Sequence, residues 1–173
     1  MHRPISPLFL GICLCFSSIP TSALATQVLR TSAEEMAQRS DVILHAHVVD
    51  QRVEWNSARS RILTLTTLRV EEAIKGKVGN TIEVYQVGGT LDGVTYNIPG
   101  ALKFAKGEEI IFFGVRFRER VASYGMGLGK YKVTRTEKEA SVAPSYGDVE
   151  FVSHDSIGRL GPAPEQPEPS VPL

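Results

Sequence analysis

The sequence predicts a mainly β protein, most economically a small five-stranded Greek-key barrel of the OB type with a short N-terminal helix, a β-sandwich being the alternative. Three observations carry this. Apolar side chains recur at every second residue in several segments, the period of a half-buried strand. No long stretch shows the helical period of about 3.6 residues. Glycine-bearing turns punctuate the alternating segments, and a long connection follows the third strand.

Residues 1–25 read as a secretory signal peptide. Arg3 supplies a positive start, Leu8 to Phe16 an apolar run, and Ala23-Leu24-Ala25 the small side chains at a peptidase site. A membrane span needs about 20 apolar residues, more than this run offers. Cys13 and Cys15 do not form a lipoprotein site, because Ile12 precedes Cys13 and cleavage there would leave almost no apolar run. Cleavage after Ala25 removes both cysteines of the chain and leaves Thr26-Gln27-Val28 as the new start. The expected location is periplasmic or extracellular. Without disulfides the fold must rest on an apolar core, which a chain of about 150 residues can build. The 19 basic and 19 acidic residues give no net charge, which argues against a nucleic-acid partner.

The remaining chain divides into a short helical lead-in over 26–40, an OB-like barrel over 41–153 and a proline-rich tail over 154–173. In the lead-in, Ser32-Ala-Glu-Glu35 fits a capping box and predicts a helix from about Ala33 to Arg39. The first barrel strand, Asp41–Val49, sets Val42, Leu44, Ala46 and Val48 on one face, and Ile43, His45, His47 and Val49 on the other. A polar tip at Asn56–Ala58 leads to Arg61–Val70, the second arm of a long hairpin. Its apolar phase changes parity near Thr66-Thr67, which predicts a β-bulge. Thr81–Val87 is the third strand, ended by Gly88-Gly89.

Residues 90–103 form a connection of no clear period. Lys106-Gly107 then turns into Glu108–Val115, whose unbroken run Ile110–Phe113 predicts a central strand covered on both faces. Tyr124 to Val133 reads as a further strand carrying Gly125, Gly127 and Gly129 on one face, a sign of backbone crowding at a barrel corner. No helix follows, so these glycines are not a phosphate loop. A short strand is expected around Val149–Val152. From Gly161 onward five prolines in thirteen residues predict a disordered, partly polyproline-II tail.

Several runs carry a family resemblance: Arg39-Ser-Asp-Val-Ile-Leu44, Leu68-Arg-Val-Glu-Glu-Ala-Ile-Lys-Gly76, Gly79-Asn-Thr-Ile-Glu-Val84, Phe104–Phe113 and Gly129-Lys-Tyr-Lys-Val133. Together they resemble the OB-fold domain of netrin-like modules and tissue inhibitors of metalloproteinases, particularly exported bacterial versions. The resemblance spans roughly residues 39–133 and implies an OB barrel with a protease-associated partner. The animal inhibitors bind the protease's zinc through an N-terminal cysteine. The mature chain has none, so no binding residue of that family carries over.

His45 and His47, two apart on one strand face, can reach one metal ion, but a zinc site needs a third ligand. The remaining mature histidine, His154, is distant in sequence, with Asp155 beside it. The chain contains no nucleophile elbow and no zincin motif. The neighbouring carboxylates Glu71-Glu72 and Glu108-Glu109 diverge on strands and read as solubilising residues. At the hairpin tip, Arg52, Trp55, Arg59 and Arg61 combine the residue types most enriched in binding hot spots, on the loop through which OB barrels commonly bind. Gly88, Gly89, Tyr96 and Pro99 of the long connection can line a cleft. The resulting expectation is a non-enzymatic exported module, without cofactor, that binds another exported protein. A binder of glycan or another small ligand of the cell envelope is the alternative. A metal-dependent enzyme using His45 and His47 is the third reading.

Overall fold

A computed structural model describes residues 26–154, 159–163 and 171–172. The signal-peptide reading and most of the proline-rich tail lie outside the described residues. In chain order the elements are β1 (Thr26–Leu29), α1 (Ala33–Arg39), β2 (Val42–Trp55), β3 (Ile62–Lys75), β4 (Thr81–Val87), β5 (Gly89–Leu91) and β6 (Val94–Tyr96). They continue with β7 (Glu109–Phe117), β8 (Arg120–Ser123), β9 (Lys130–Arg135), β10 (Ala140–Pro144), β11 (Val149–His154), β12 (Leu160–Pro162) and β13 (Val171–Pro172). The protein is mainly β, with one short helix among the described residues.

Five strands close on themselves. β2 pairs antiparallel with β3 and with β7, β3 with β4, and β7 with β8. The ring is completed where β4 meets β8 in parallel, at Val84 opposite Val121. The first three strands are thus consecutive neighbours, the fourth returns beside the first, and the fifth closes on the third. That is an OB-like Greek-key connectivity. β9 and β10 extend the sheet outward from β7, and β13 pairs with β10.

The ring encloses the main core. Val42, Leu44, Ala46 and Val48 of β2 point inward with Leu68, Val84, Ile110, Phe112 and Val121, and Leu102 and Phe104 plug one end. The face read from alternation in β2 is therefore the inner face. Each of these side chains other than Ala46 contributes about 1.5–3 kcal/mol when fully buried. Ile43 and Phe113, on the opposite face, meet Met36, Leu128 and Tyr131 in a second core. Phe112 and Phe113 thus serve two cores from adjacent positions, as expected of a strand covered on both sides.

α1 spans the expected residues. The Ser32 hydroxyl accepts from the Glu35 N–H at 3.1 Å, but the Glu35 carboxylate pairs with Arg39 at 2.9 Å instead of reaching back. Only half of the capping box forms.

Other features differ from expectation. The hairpin has three register shifts: beside Thr67 the extra residue is Val49 of β2, between Val48 and Asp50, and further along Glu71 and Ile74 are the extra residues of β3. β3 itself runs against β4 without a shift from Leu63↔Val87 to Arg69↔Thr81. The parity change in β3 reflects burial on both faces, with Leu63 and Leu65 buried as well as Thr66 and Leu68. Gly125, Gly127 and Gly129 do not share a strand face, because β9 begins only at Lys130 and they lie in the preceding turn. Crowding does explain two of them. A Cβ at Gly127 would strike the Gly100 carbonyl, and one at Gly129 the Phe113 carbonyl.

The connection after β4 contains the hairpin β5–β6, turned at Asp92-Gly93 with both residues at positive φ, 51° and 76°. β1, within the lead-in, pairs in parallel with β11. In the tail, Leu160–Pro162 adds an antiparallel edge strand to β11, a position where proline's missing N–H is tolerated. The disordered reading therefore does not hold for these residues. No helix among the described residues is long and apolar enough to cross a membrane.

Candidate functional site

The hairpin tip is organised by a side-chain cap. Asn56 Oδ1 accepts from the N–H groups of Ser60 (2.8 Å) and Arg61 (3.1 Å), and Arg59 adopts a positive φ of 51°. This asparagine-organised turn fixes where the surrounding side chains project.

The structure separates the residues that the sequence groups at this tip. Trp55 turns away to donate its Nε1–H to Asp92 Oδ2 at 3.0 Å, tying the β2–β3 tip to the β5–β6 turn. Arg52 is held by Glu83 on β4 and lies 3.6 Å from Glu54. Tyr96 lines a separate cleft of about 710 Å³ under the long connection, with Gly88, Gly89 and Pro99. Only Arg61 of the predicted set lines the groove described next.

That groove, about 700 Å³, has three walls. Asn56, Ser57 and Arg61 come from the β2–β3 loop; Leu63, Tyr85 and Val87 from the outer face of β3 and β4; Phe117, Arg118, Glu119 and Arg120 from the β7–β8 turn. Loop, sheet face and second loop meet because β4 and β8 adjoin at the closure of the ring. In OB barrels the same combination, the face of the second and third strands with the loops on either side, is the usual ligand surface. Its volume falls within the range of small-ligand sites.

Two cations sit on aromatic rings there. The Arg120 guanidinium lies 5.7 Å from the Tyr85 ring centre, and that of Arg118 lies 5.5 Å from the centre of Phe117. Phe117 is 59% exposed, which leaves a large apolar surface facing solvent. Arg118 also adopts a positive φ of 58° in the two-residue β7–β8 turn, a conformation glycine usually supplies. A bulky residue held in that strained region is a recurrent mark of functional positions.

Sequence reasoning missed Tyr85, Phe117, Arg118 and Arg120. The available signal was Phe117-Arg-Glu-Arg120, an aromatic within a charged run directly after the most apolar strand. The Asp92-Gly93 turn that receives Trp55 was also legible, since Asp-Gly between apolar residues is a strong hairpin signal.

The two strand histidines take different carboxylate partners. His45 Nε2 lies 2.7 Å from Glu109 Oε1, and Glu109 also takes the Arg135 guanidinium at 2.6 Å. His47 Nε2 sits 3.7 Å from Glu71 instead, in a second pair with Arg69. Among the described residues no three metal-ligating side chains converge. The Arg135 fork, and then His45, hold the Glu109 carboxyl down from 4.5 to about 2, against the opposing effect of burial.

The reading of Glu108-Glu109 as solubilising residues is corrected here. Glu109 is only 13% exposed and Glu108 only 9%. Glu108 receives Lys130 Nζ at 3.0 and 3.1 Å, and the third Lys130 hydrogen goes to the Lys103 carbonyl. The two carboxylates diverge, as strand neighbours must, but each ends in a near-buried ion pair.

Compared with known proteins, the chain matches no family model, no curated protein and no solved structure closely enough to establish kinship.

Proposed function

We propose that this chain is an exported, non-enzymatic binding module that takes a protein partner in the groove between the β2–β3 loop and the β7–β8 turn. The observation that carries the reading is the make-up of that groove. It holds Arg61, Arg118 and Arg120 beside Tyr85 and Phe117, the mixture of guanidinium and aromatic surface most enriched in protein hot spots. The netrin-like and inhibitor-like resemblance suggests an exported protease as the partner class. Trp55 acts as a strut for the surface, and Arg52 as a brace between β2 and β4.

The test is affinity capture of envelope and culture-fluid proteins by the mature wild-type chain and by Arg61→Gln/Phe117→Ala. A partner held by the wild type and lost by the folded variant supports the reading. Equal capture by both removes the groove from it.

A glycan or other small-ligand reading is favoured by one feature only. The cleft beneath the long connection sets Tyr96 beside Gln51, Thr64 and Asn97, a ring with hydroxyl and amide partners. Tyr96→Ala losing retention on envelope glycan, with protein capture intact, would favour this second reading.

A further inference from the structure

Nine arginines between Arg39 and Arg135 fall into two groups. Arg39, Arg52, Arg69 and Arg135 each pair with a carboxylate, and Arg116 donates to the Lys77 carbonyl at 2.7 Å. Arg59, Arg61, Arg118 and Arg120 have no carboxylate within 4.0 Å among the described residues. These four sit on the hairpin tip and the adjoining groove. The one acid lining the groove is Glu119. A chain with no net charge thus sets four guanidinium groups that lack a carboxylate on one surface.

From this we infer the chemical class of the ligand: an extended peptide segment of the partner in which Asp or Glu alternates with apolar side chains. The inference rests on the binding role proposed for the groove and names what enters it.

Three considerations select this ligand. First, the guanidinium groups of Arg118 and Arg120 are held 5.5 and 5.7 Å from a ring centre while both side chains stay exposed, so their planar N–H forks are available. That geometry suits two-point recognition of a carboxylate. Second, apolar side chains stand among the arginines, Val87 partly exposed over buried Leu63, and Phe117 largely exposed at the edge. A sulfated glycan is polar throughout and would leave Val87 and Phe117 uncovered, whereas alternate side chains of an extended peptide would meet both the arginines and these apolar groups. Third, Arg118 and Arg120 each stand over one face of Phe117 and Tyr85, which reduces the ring surface on which single-stranded nucleic acid would stack.

The β4 edge adds backbone partners. Val70 N–H bonds the Asn80 carbonyl and Gly88 N–H the Ile62 carbonyl, so the even-numbered residues of β4 bond β3 and the odd-numbered ones face β8. The ladder to β8 is confined to Val84↔Val121. Past that pair, Val87 presents its main-chain groups beside the groove, where an extended peptide can take them up.

The experiment is selection of a random linear-peptide display library on the mature chain and on Arg61→Gln/Arg118→Gln/Arg120→Gln. A sulfated oligosaccharide and an oligothymidylate are titrated in parallel. The expected result is enrichment of peptides alternating acid with apolar residues on the wild type only. Each such peptide should lose about tenfold or more in affinity when its acids become amides, and should weaken with salt. Enrichment of peptides without acids, or preferential binding of the sulfated oligosaccharide or the oligothymidylate, overturns the ligand class. If no peptide is enriched although native-partner capture remains groove-dependent, the ligand class fails and the binding reading stands. If groove-dependent capture is also absent, both fail.

Discussion

Trp55 and Asp92 are joined side chain to side chain across 3.0 Å, although they belong to different hairpins. The bond makes the β5–β6 hairpin, otherwise a two-stranded ribbon, an appendage of the long β2–β3 arm. A second clasp lies beneath it, where a Cβ on Gly89 would press against Val53 Cγ1 and Thr64 Oγ1.

Replacing Trp55 by Phe removes the donor and keeps most of the apolar bulk. The domain should lose about 1 kcal/mol. Hydrogen exchange should quicken over residues 89–96 while the interior of β2 and β7 stays protected. Unchanged exchange in that hairpin would show that the indole does not tether it.

Arg118 bears the opposite relation between stability and binding. Glycine accepts its φ of 58° without the steric cost an L side chain pays, about 1–2 kcal/mol, part of which returns as unfolded-chain entropy. Arg118→Gly should therefore hold or raise the melting temperature while weakening partner capture. A marked fall in melting temperature would mean that the guanidinium supports the fold through Phe117.

The Glu109 pair predicts an acid limit. Its carboxyl titrates at about 2 in the folded protein against 4.5 as a free group. The stabilisation is fully present above 4.5 and disappears as pH falls through about 2, since protonation then breaks the pairs with Arg135 and His45. The contribution is at most about 3 kcal/mol. Denaturant unfolding across this window should show the slope in wild type, and Glu109→Gln should remove its share.

Two glycines separate crowding from convenience. Gly129→Ala would drive a methyl into the Phe113 carbonyl and the Ser123 hydroxyl, where backbone must move, and should cost more than about 3 kcal/mol or abolish folding. Gly79→Ala meets nothing nearer than 3.8 Å and should change stability by less than about 1 kcal/mol. Thermal melts of the two variants give the comparison directly.

The barrel was legible because its first strand keeps strict alternation and its fourth is apolar without interruption. Val42, Leu44, Ala46 and Val48 can face only one way once the ring closes. A register shift does fall beside Thr67, but its extra residue is Val49 on the facing strand, and burial on both faces of β3 hides which strand carries it. β10 was missed because Ala140–Pro144 is half-buried throughout and shows no contrast between faces. Of the groove, only Arg61 was legible. Phe117 and Tyr85 stand far apart in sequence and meet through a parallel closure that alternation does not encode.

That closure has a mechanical consequence. Four seams of the ring are antiparallel ladders of four or more rungs, and the fifth is one rung, Val84 to Val121. Tyr85 and Arg120 stand on either side of this weakest seam. Whatever spans them works as a latch, and the occupied barrel should resist prying apart at the one place where the empty barrel yields first.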